Sequence, residues 1–426
     1  MNDQSTPKLI RTVGFPGLIL MCINAVIGSG VFLLPSESYK LLGPFSLWAP
    51  LLFAVPVFIL ALCFAEAASH FTEPGGAYLY AKTAFGDFVG FETGWMNWIA
   101  RVTSLASLSN GFVVALALLV PSLKSGIPRA AIITATILLL AVIHYVGVKY
   151  GAASIYVFTY GKLVPLVGFI IIALIAWKSN PFPGSLTLPA GHIDWSGAAL
   201  FMLFAYAGFE NLGVPAGEYK NPRRDLPFAL LIGILIIAAI YVLAQVGAMS
   251  AVPNLSATDT PIATAAAEII GPIGAFIVTV GSLLSMAGTN SGTMLEGSRM
   301  LYALSLERRM GPVSYVHPRF HTPTIAIIIH TIVALGLALG GTFATLALVS
   351  AGARLTTYLV TAAAVPRLRK LNEGFRTPGL IVPILGVLVG LIMIVALVEN
   401  PNRLIAAALA VLSGVVVYLL TKPSSS

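Results

Sequence analysis

The segment Val26-Ile27-Gly28-Ser29-Gly30-Val31-Phe32 places two glycines and a serine inside an apolar run that begins near Phe15. At about 1.5 Å of rise per residue, the Gly-Ser-Gly lies about 20 Å along the run, past the centre of a hydrocarbon layer about 30 Å thick. Unwound backbone at that depth requires protein or a water-filled cavity beside it. The free amides of the second half-helix and the free carbonyls of the first would then suit a ligand that carries both charges.

A second apolar segment is interrupted in the same way. Tyr206-Ala207-Gly208-Phe209-Glu210-Asn211 lies in the middle of segment 194–219, and Gly213 and Pro215 follow it. The two interrupted segments are separated by four intact ones and enter the membrane from opposite sides. Matching breaks in such positions predict two halves related by an inverted repeat, with the ligand between them.

Four ionisable side chains fall within apolar segments, namely those of Arg101, Lys162, Glu210 and Arg354. Each costs about 2.5–3.5 kcal/mol to insert into a membrane, so each requires an explanation. Lys162 has no charged neighbour along its own helix. It either fills a cation-binding position or changes protonation during the working cycle, and the alternative is a side chain that extends to the membrane interface.

The other charged and aromatic side chains leave alternatives open. Glu210 either titrates as a gate or neutralises Arg101 or Lys162, and Arg101 either contacts ligand or, as we favour, pairs with Glu210. Arg354 is expected to bind backbone carbonyls or a carboxylate. Phe204, beside the second break, either covers the ligand or packs in the core. Four glutamates near segment ends are interpreted as solvated: Glu66, Glu73, Glu92 and Glu296.

The composition places these segments in a membrane. The 426-residue chain is 58% hydrophobic and 9% charged, and its mean hydropathy is +0.92, which lies outside the range of soluble domains. Hydropathy predicts twelve helical spans and no sizeable soluble domain. The spans are 14–40, 45–70, 88–120, 129–148, 152–177, 194–219, 228–250, 272–298, 323–340, 343–366, 380–398 and 402–420.

The predicted fold is therefore an all-α integral membrane protein with one transmembrane domain. Residues 14–177 form the first repeat, 194–366 the inverted second repeat, and 380–420 two extra helices, with discontinuous helices one and six. Helix-like loop segments at 76–86 and 261–271 repeat the same pattern. Most loop Lys and Arg residues fall on one side when both termini are cytoplasmic, so we expect a multi-pass protein of the plasma membrane with that orientation.

Several classes of protein are excluded by the same sequence. It has no nucleotide-binding Gly-Lys-Ser/Thr loop and no helical His-Glu-x-x-His, so no enzyme activity and no cofactor are predicted. His317 and His321 lie in a loop with Pro318 between them, which does not favour a metal site. The net charge of +8 fits membrane orientation rather than nucleic-acid binding. The lipid bilayer is the expected environment.

The first break, extended to Ile27-Gly28-Ser29-Gly30-Val31-Phe32-Leu33-Leu34-Pro35, resembles the first-span signature of the amino acid–polyamine–organocation superfamily. Residues 73–78, 206–210, 218–227 and 298–304 are also similar to its loops and spans. The resemblance implies an alternating-access transporter with a bound amino acid. It places the carboxylate at Gly28, Ser29 and Gly30. It places the amine at carbonyls of the two breaks, namely those around Val26, Ile27, Phe204 and Ala207, with Gly208 alongside.

The resemblance also implies roles for three side chains. Lys162 matches a fifth-span lysine that stands where sodium-coupled relatives hold a cation, Phe204 matches an aromatic gate, and Glu210 matches a proton-responsive carboxylate. Arg101 and Gly292 depart from the arginine/agmatine antiporters, which have a small uncharged residue and a tryptophan there. Because Arg101 would repel a cation, a neutral amino acid is expected, and an acidic one is the alternative if Arg101 faces the cavity.

The expected function is a sodium-independent secondary transporter of neutral amino acids, driven by protons or by exchange. Acidic amino acids and polyamines are the alternative substrates. An amino-acid sensor with a transporter fold and a channel are alternatives of a different class.

Overall fold

The computed structural model describes residues 13–71, 75–147, 151–177, 193–213, 219–371 and 374–421. The regular structure of these residues is helical apart from an isolated bridge between Val13 and Tyr219. The α-helices are α1 (Phe15–Val26), α2 (Gly30–Leu42), α3 (Ala49–Ser69), α4 (Gly76–Phe85), α5 (Asp87–Leu116), α6 (Gly126–Val146), α7 (Gly151–Ala176), α8 (Trp195–Tyr206), α9 (Pro222–Ala251), α10 (Pro261–Ile270), α11 (Pro272–Glu307), α12 (Thr324–Gly340), α13 (Phe343–Leu368), α14 (Ile381–Val398) and α15 (Pro401–Leu420).

Both predicted interruptions are present. α1 ends at Val26, and Ile27 is extended, with φ −72° and ψ 94°, before α2 begins at Gly30. α8 ends at Tyr206, and the extended Ala207 leads into a short 3-10 turn, Phe209–Asn211. The predicted continuation of the second interrupted helix falls partly on 214–218, which lie outside the described residues.

The two short loop helices also lie where the sequence places them. α4 packs along α5, and α10 packs along α11. Each ends at a glycine with positive φ, Gly86 at 91° and Gly271 at 75°. A glycine in that conformation terminates a helix and turns the chain into the next element.

α5 forms the centre of the bundle and packs along both α11 and α13. The most apolar 18-residue stretch of α5 is 78% buried, whereas that of α15 is 6% buried. α5 is therefore interior and α15 peripheral. The interior also contains charged groups that the sequence analysis interpreted as solvated. Glu66 is fully buried and bound by Arg369 Nε (2.5 Å) and Thr377 Oγ1 (2.6 Å), so that interpretation is wrong for Glu66.

Glu92 also lies in the interior, contrary to the sequence analysis. Its side chain is buried in α5, and within the described part of the chain neither carboxylate oxygen has a hydrogen-bond partner. Gly414 of α15 makes this possible, because a Cβ there would lie 2.6 Å from Glu92 Oε2. Glu73, the third of these glutamates, lies outside the described residues.

The outer surface is apolar. Among the described residues, nine helices are long and apolar enough to cross a membrane. Large apolar side chains such as Leu139 of α6, Ile392 of α14 and Leu409 of α15 are more than half exposed. Lipid tails are as apolar as leucine, so such a surface is stable in a bilayer. The all-helical, multi-pass membrane fold predicted from the sequence is confirmed.

Candidate functional site

The two interruptions face one cavity of about 30 Å³. Its wall comes from α1, α2, α5, α8, α11 and α13 and from the unwound residues of both breaks. The lining residues are Ala25, Val26, Gly28, Ser29, Gly30, Arg101, Ser104, Leu108, Phe204, Ala207, Gly208, Thr289, Thr293 and Arg354. This space holds about two water molecules, so a larger ligand must displace side chains as it enters.

The carbonyl end of α1 is bound by a lysine. Lys162 of α7 is fully buried, and its ammonium donates to Asn24 O (2.9 Å) and Ile27 O (2.5 Å). The hydroxyl of Ser285 donates to Ile27 O (3.2 Å) and Gly28 O (2.9 Å). The last carbonyls of a helix have no hydrogen-bond donor within the helix and carry the negative end of its dipole. The Lys162 ammonium and the Ser285 hydroxyl supply the missing donors at this break. Lys162 thus binds carbonyls of the break and does not extend to the membrane interface.

The amide end of α2 lies on the other side of the same break. The amides of Phe32 and Leu33 both donate to Ser29 O at 3.0 Å, whereas those of Gly30 and Val31 precede the first intrahelical bond. The Ser29 hydroxyl is buried and has no hydrogen-bond partner within the described residues. Free amides at a helix N-terminus, with its positive dipole end, form a site for a carboxylate.

The second break contacts the first through its backbone. Gly208 has φ 126°, and a Cβ at this position would lie 2.3 Å from Ala25 O. The Gly208 amide donates to Glu210 Oε2 at 2.7 Å. Only glycine combines this conformation with so close an approach. The contact between the breaks therefore depends on Gly208.

Gly208→Ala should disrupt this contact. Alanine must adopt the strained backbone conformation of Gly208, at a cost of about 1–3 kcal/mol. Its methyl group must also push α1 away. We expect a lower melting temperature of the purified protein and at least about a tenfold loss of uptake, which corresponds to about 1.4 kcal/mol. The matched control is Gly292→Ala in α11, because a Cβ there meets no atom within 4 Å. This variant should keep or slightly raise the melting temperature, since alanine favours a helix more than glycine does. A Gly208→Ala protein as stable and active as wild type would contradict the close contact.

A buried carboxylate connects the second break to two other helices. Glu210 Oε1 accepts from Arg101 Nη2 of α5 (3.2 Å) and Arg354 Nε of α13 (3.0 Å). Its Oε2 accepts from the Gly208 amide and from the Tyr358 hydroxyl (3.2 Å). The Glu210 side chain is 2% exposed. One carboxylate is therefore shared between two guanidinium groups while it fixes the orientation of Gly208.

A second anion completes the charge balance. Glu296 Oε2 of α11 lies 3.1 Å from Arg101 Nη1. Arg354 also donates to the hydroxyls of Ser104 (2.9 Å) and Ser350. The group thus contains two guanidinium groups and two carboxylates, so its formal charge is zero.

The geometry distinguishes between the partners that the sequence leaves open for these groups. Of the two partners considered for Glu210, Arg101 pairs with it, whereas Lys162 binds carbonyls instead. For Arg354, the carboxylate alternative is the one found. Sequence reasoning missed Thr289 and Thr293 as lining residues. Their spacing of four residues on one helix was the available signal, but threonines within helices commonly bond their own backbone.

The remaining predicted site residues take different positions. Phe204 lines the cavity and packs edge to face on Phe343, with ring centroids 6.1 Å apart. Val26 and Ala207 also line it. Ile27 is buried behind the cavity wall, and its carbonyl already accepts from Lys162 and Ser285. Ile27 therefore contributes to the break rather than to the surface that a ligand would contact.

Comparison with known proteins gives relatives across the whole chain. A serine/threonine exchanger of Bacillus subtilis is 31% identical over 329 residues, which cover 75% of this chain and 74% of that protein. The b(0,+)-type amino acid transporter 1 of Homo sapiens is 28% identical over 444 residues, covering 98% and 89%, and its Mus musculus counterpart is 27% identical over 442 residues, also covering 98% and 89%.

A family model gives the same assignment and covers both breaks. The model described as amino acid permease matches residues 13–420, which include all six helices around the cavity. The protein is accordingly a membrane transporter rather than an enzyme. The chain belongs to the amino acid permease family.

Proposed function

We propose that this protein is a secondary active transporter that carries neutral amino acids by alternating access, without sodium, driven by protons or by exchange. The observation that carries the proposal is the pair of helix interruptions facing one cavity. Polar backbone within a membrane is stable only beside protein or a polar cavity, and breaks of this kind form the substrate sites of many transporters.

The proposed architecture has twelve spans with an inverted repeat. It is supported by the order of the elements. Each half begins with a broken helix, followed by a long helix and a short loop helix. These are α1–α2, α3 and α4 in the first half, and α8, α9 and α10 in the second. α14 and α15 then lie outside the repeat. The proposed location is the plasma membrane with cytoplasmic termini, and the terminal residues 1–12 and 422–426 lie outside the described residues.

The proposed pose places the amino acid across the first break. Its carboxylate accepts from the amides at Ser29 and Gly30, and its amine donates to carbonyls near Val26 and Ala207. The hydroxyls of Ser29 and Thr289 support a small polar side chain on the substrate, because neither is hydrogen-bonded within the described part of the chain. The small cavity and the serine/threonine exchanger among the relatives support the same choice.

Sodium independence is proposed from Lys162. Its ammonium already binds Asn24 O and Ile27 O, and a sodium ion at these carbonyls would have to displace a covalently tethered cation. Uptake of labelled serine into proteoliposomes should therefore be equal with sodium or choline outside. A steep dependence on external sodium would overturn this coupling assignment.

The transport proposal is tested with a panel of labelled amino acids. Purified protein in liposomes should take up serine, threonine or alanine, and comparison with and without internal amino acid or a pH gradient distinguishes exchange from proton coupling. Binding of an amino acid without movement into the liposomes would identify a sensor instead.

A further inference from the structure

The face of α11 that lines the cavity continues beyond it. Thr289 and Thr293 line the cavity, and Gly292 and Glu296 fall on the same helical face because each lies three residues after one of these threonines. A Cβ at Gly292 would meet no atom within 4 Å. Open space thus borders this face at Gly292, and the Glu296 side chain one turn further along is itself partly exposed.

Glu296 differs from Glu210 in its exposure. Both carboxylates bind Arg101, but the Glu296 side chain is 36% exposed, whereas those of Glu210 and Arg101 are 2% and 8% exposed. A partly hydrated carboxylate is held less strongly than a buried one, because water competes for its oxygens. Glu296 is thus the exchangeable counter-ion of Arg101.

Arg101 has the capacity to bind another anion, and Arg354 does not. Arg101 Nε is buried and has no acceptor within the described residues. The Arg354 guanidinium is engaged by Glu210, Ser350 and Ser104. A guanidinium binds carboxylates with two parallel hydrogen bonds when its nitrogens are free. Arg101 is therefore the group in the cavity wall that would recruit an acidic side chain.

We propose that Glu296 determines substrate charge by occupying Arg101, so that the transporter excludes acidic amino acids. Without this carboxylate, Arg101, which lines the cavity, shares Glu210 with Arg354, and its Nη1 loses its partner while its Nε has none among the described residues. The side-chain carboxylate of glutamate or aspartate then replaces Glu296 and restores the charge balance. In the wild-type protein, Glu296 already pairs with Arg101 and repels a second carboxylate. Discrimination against acidic amino acids therefore arises from this pair rather than from contacts with the neutral substrate. The inference rests on the proposed amino-acid site between the breaks.

The test is a change of selectivity in Glu296→Gln. In proteoliposomes, the ratio of labelled glutamate uptake to serine uptake should rise at least about tenfold over wild type, equivalent to about 1.4 kcal/mol of discrimination. Glu296→Asp keeps the charge and should keep the exclusion. The double variant Glu296→Gln, Arg101→Gln should lose the gain, because the recruiting cation is absent.

A matched control comes from the end of the same helix. Glu307 lies 2.6 Å from Lys82 and is 41% exposed, so Glu307→Gln removes a charge from α11 without changing the cavity and should leave the ratio unchanged. If Glu296→Gln is inactive in liposomes, the melting temperature of the purified variant is measured with and without glutamate to test whether glutamate binds. Stabilisation by glutamate supports the proposal, since a ligand stabilises the state that binds it, and no stabilisation overturns it.

The failure of this inference is distinguishable from failure of the transport proposal. A Glu296→Gln protein that carries serine and still rejects glutamate overturns the role of Glu296 and leaves the site in place. Wild-type protein that neither binds nor carries any amino acid overturns the proposed function, and with it the inference.

Discussion

Lys162→Gln should reduce transport at least about tenfold while the protein stays folded. The change removes charge-assisted hydrogen bonds to Asn24 O and Ile27 O, each worth about 1.5–3 kcal/mol. Ile27 O keeps the Ser285 hydroxyl, but Asn24 O loses its donor at the end of α1. We therefore expect uptake to fall by at least about tenfold, because a loss of about 1.4 kcal/mol already has that effect.

Stability should respond differently from transport in this variant. Lys162 is fully buried, and within the described residues it has no carboxylate in ion-pair contact. A neutral glutamine removes the cost of burying a charge, so the melting temperature should stay equal or rise. Lys40→Gln is the control, because Lys40 lies at the surface and pairs with Glu37. Wild-type uptake by Lys162→Gln would show that the break does not need a resident cation.

Glu210→Gln should produce the largest loss of stability. It leaves Arg101 and Arg354 buried without their shared carboxylate, and removing one partner of a buried ion pair costs about 3–5 kcal/mol. A glutamine amide also directs hydrogens at either the Gly208 amide or the guanidinium groups. The expected result is a clear drop in melting temperature together with a loss of uptake, because Glu210 fixes Gly208 at the contact between the breaks.

The control for this variant is an acid that is only partly buried and pairs with an exposed lysine. Glu37 of α2 lies 2.9 Å from Lys40 at the exposed end of the helix, where an ion pair contributes about 0–1 kcal/mol. Glu37→Gln should leave the melting temperature nearly unchanged. If Glu210→Gln melts at the same temperature as Glu37→Gln, the buried group does not hold the bundle together.

The sequence predicted the features that depend on local chemistry. Two glycines around a serine at Gly28 and a glycine followed by polar residues at Gly208 weaken the helix locally, so both breaks could be placed from the sequence. Lys162 could be singled out because an ionisable group within a span requires a partner. The short helices α4 and α10 were visible because glycine or proline marks their ends.

The features that depend on packing between helices could not be predicted. The rotation of each helix about its axis decides whether Arg354 reaches Glu210 or a carbonyl, and no local pattern encodes that rotation. Glu66 and Glu92 lie near predicted span ends, yet distant residues enclose them: Arg369 binds Glu66, and Gly414 leaves space for Glu92. For the same reason, the Glu296 contact with Arg101 appears only in three dimensions.

The central claim is that an amino acid binds between the two interrupted helices. A structure of the purified protein with the amino acid that it carries tests this most directly. The account predicts the substrate carboxylate within about 3 Å of the Ser29 and Gly30 amides, and its amine beside the carbonyls of Val26 and Ala207. Substrate bound elsewhere, with the space between Gly28 and Gly208 closed by protein, would contradict it.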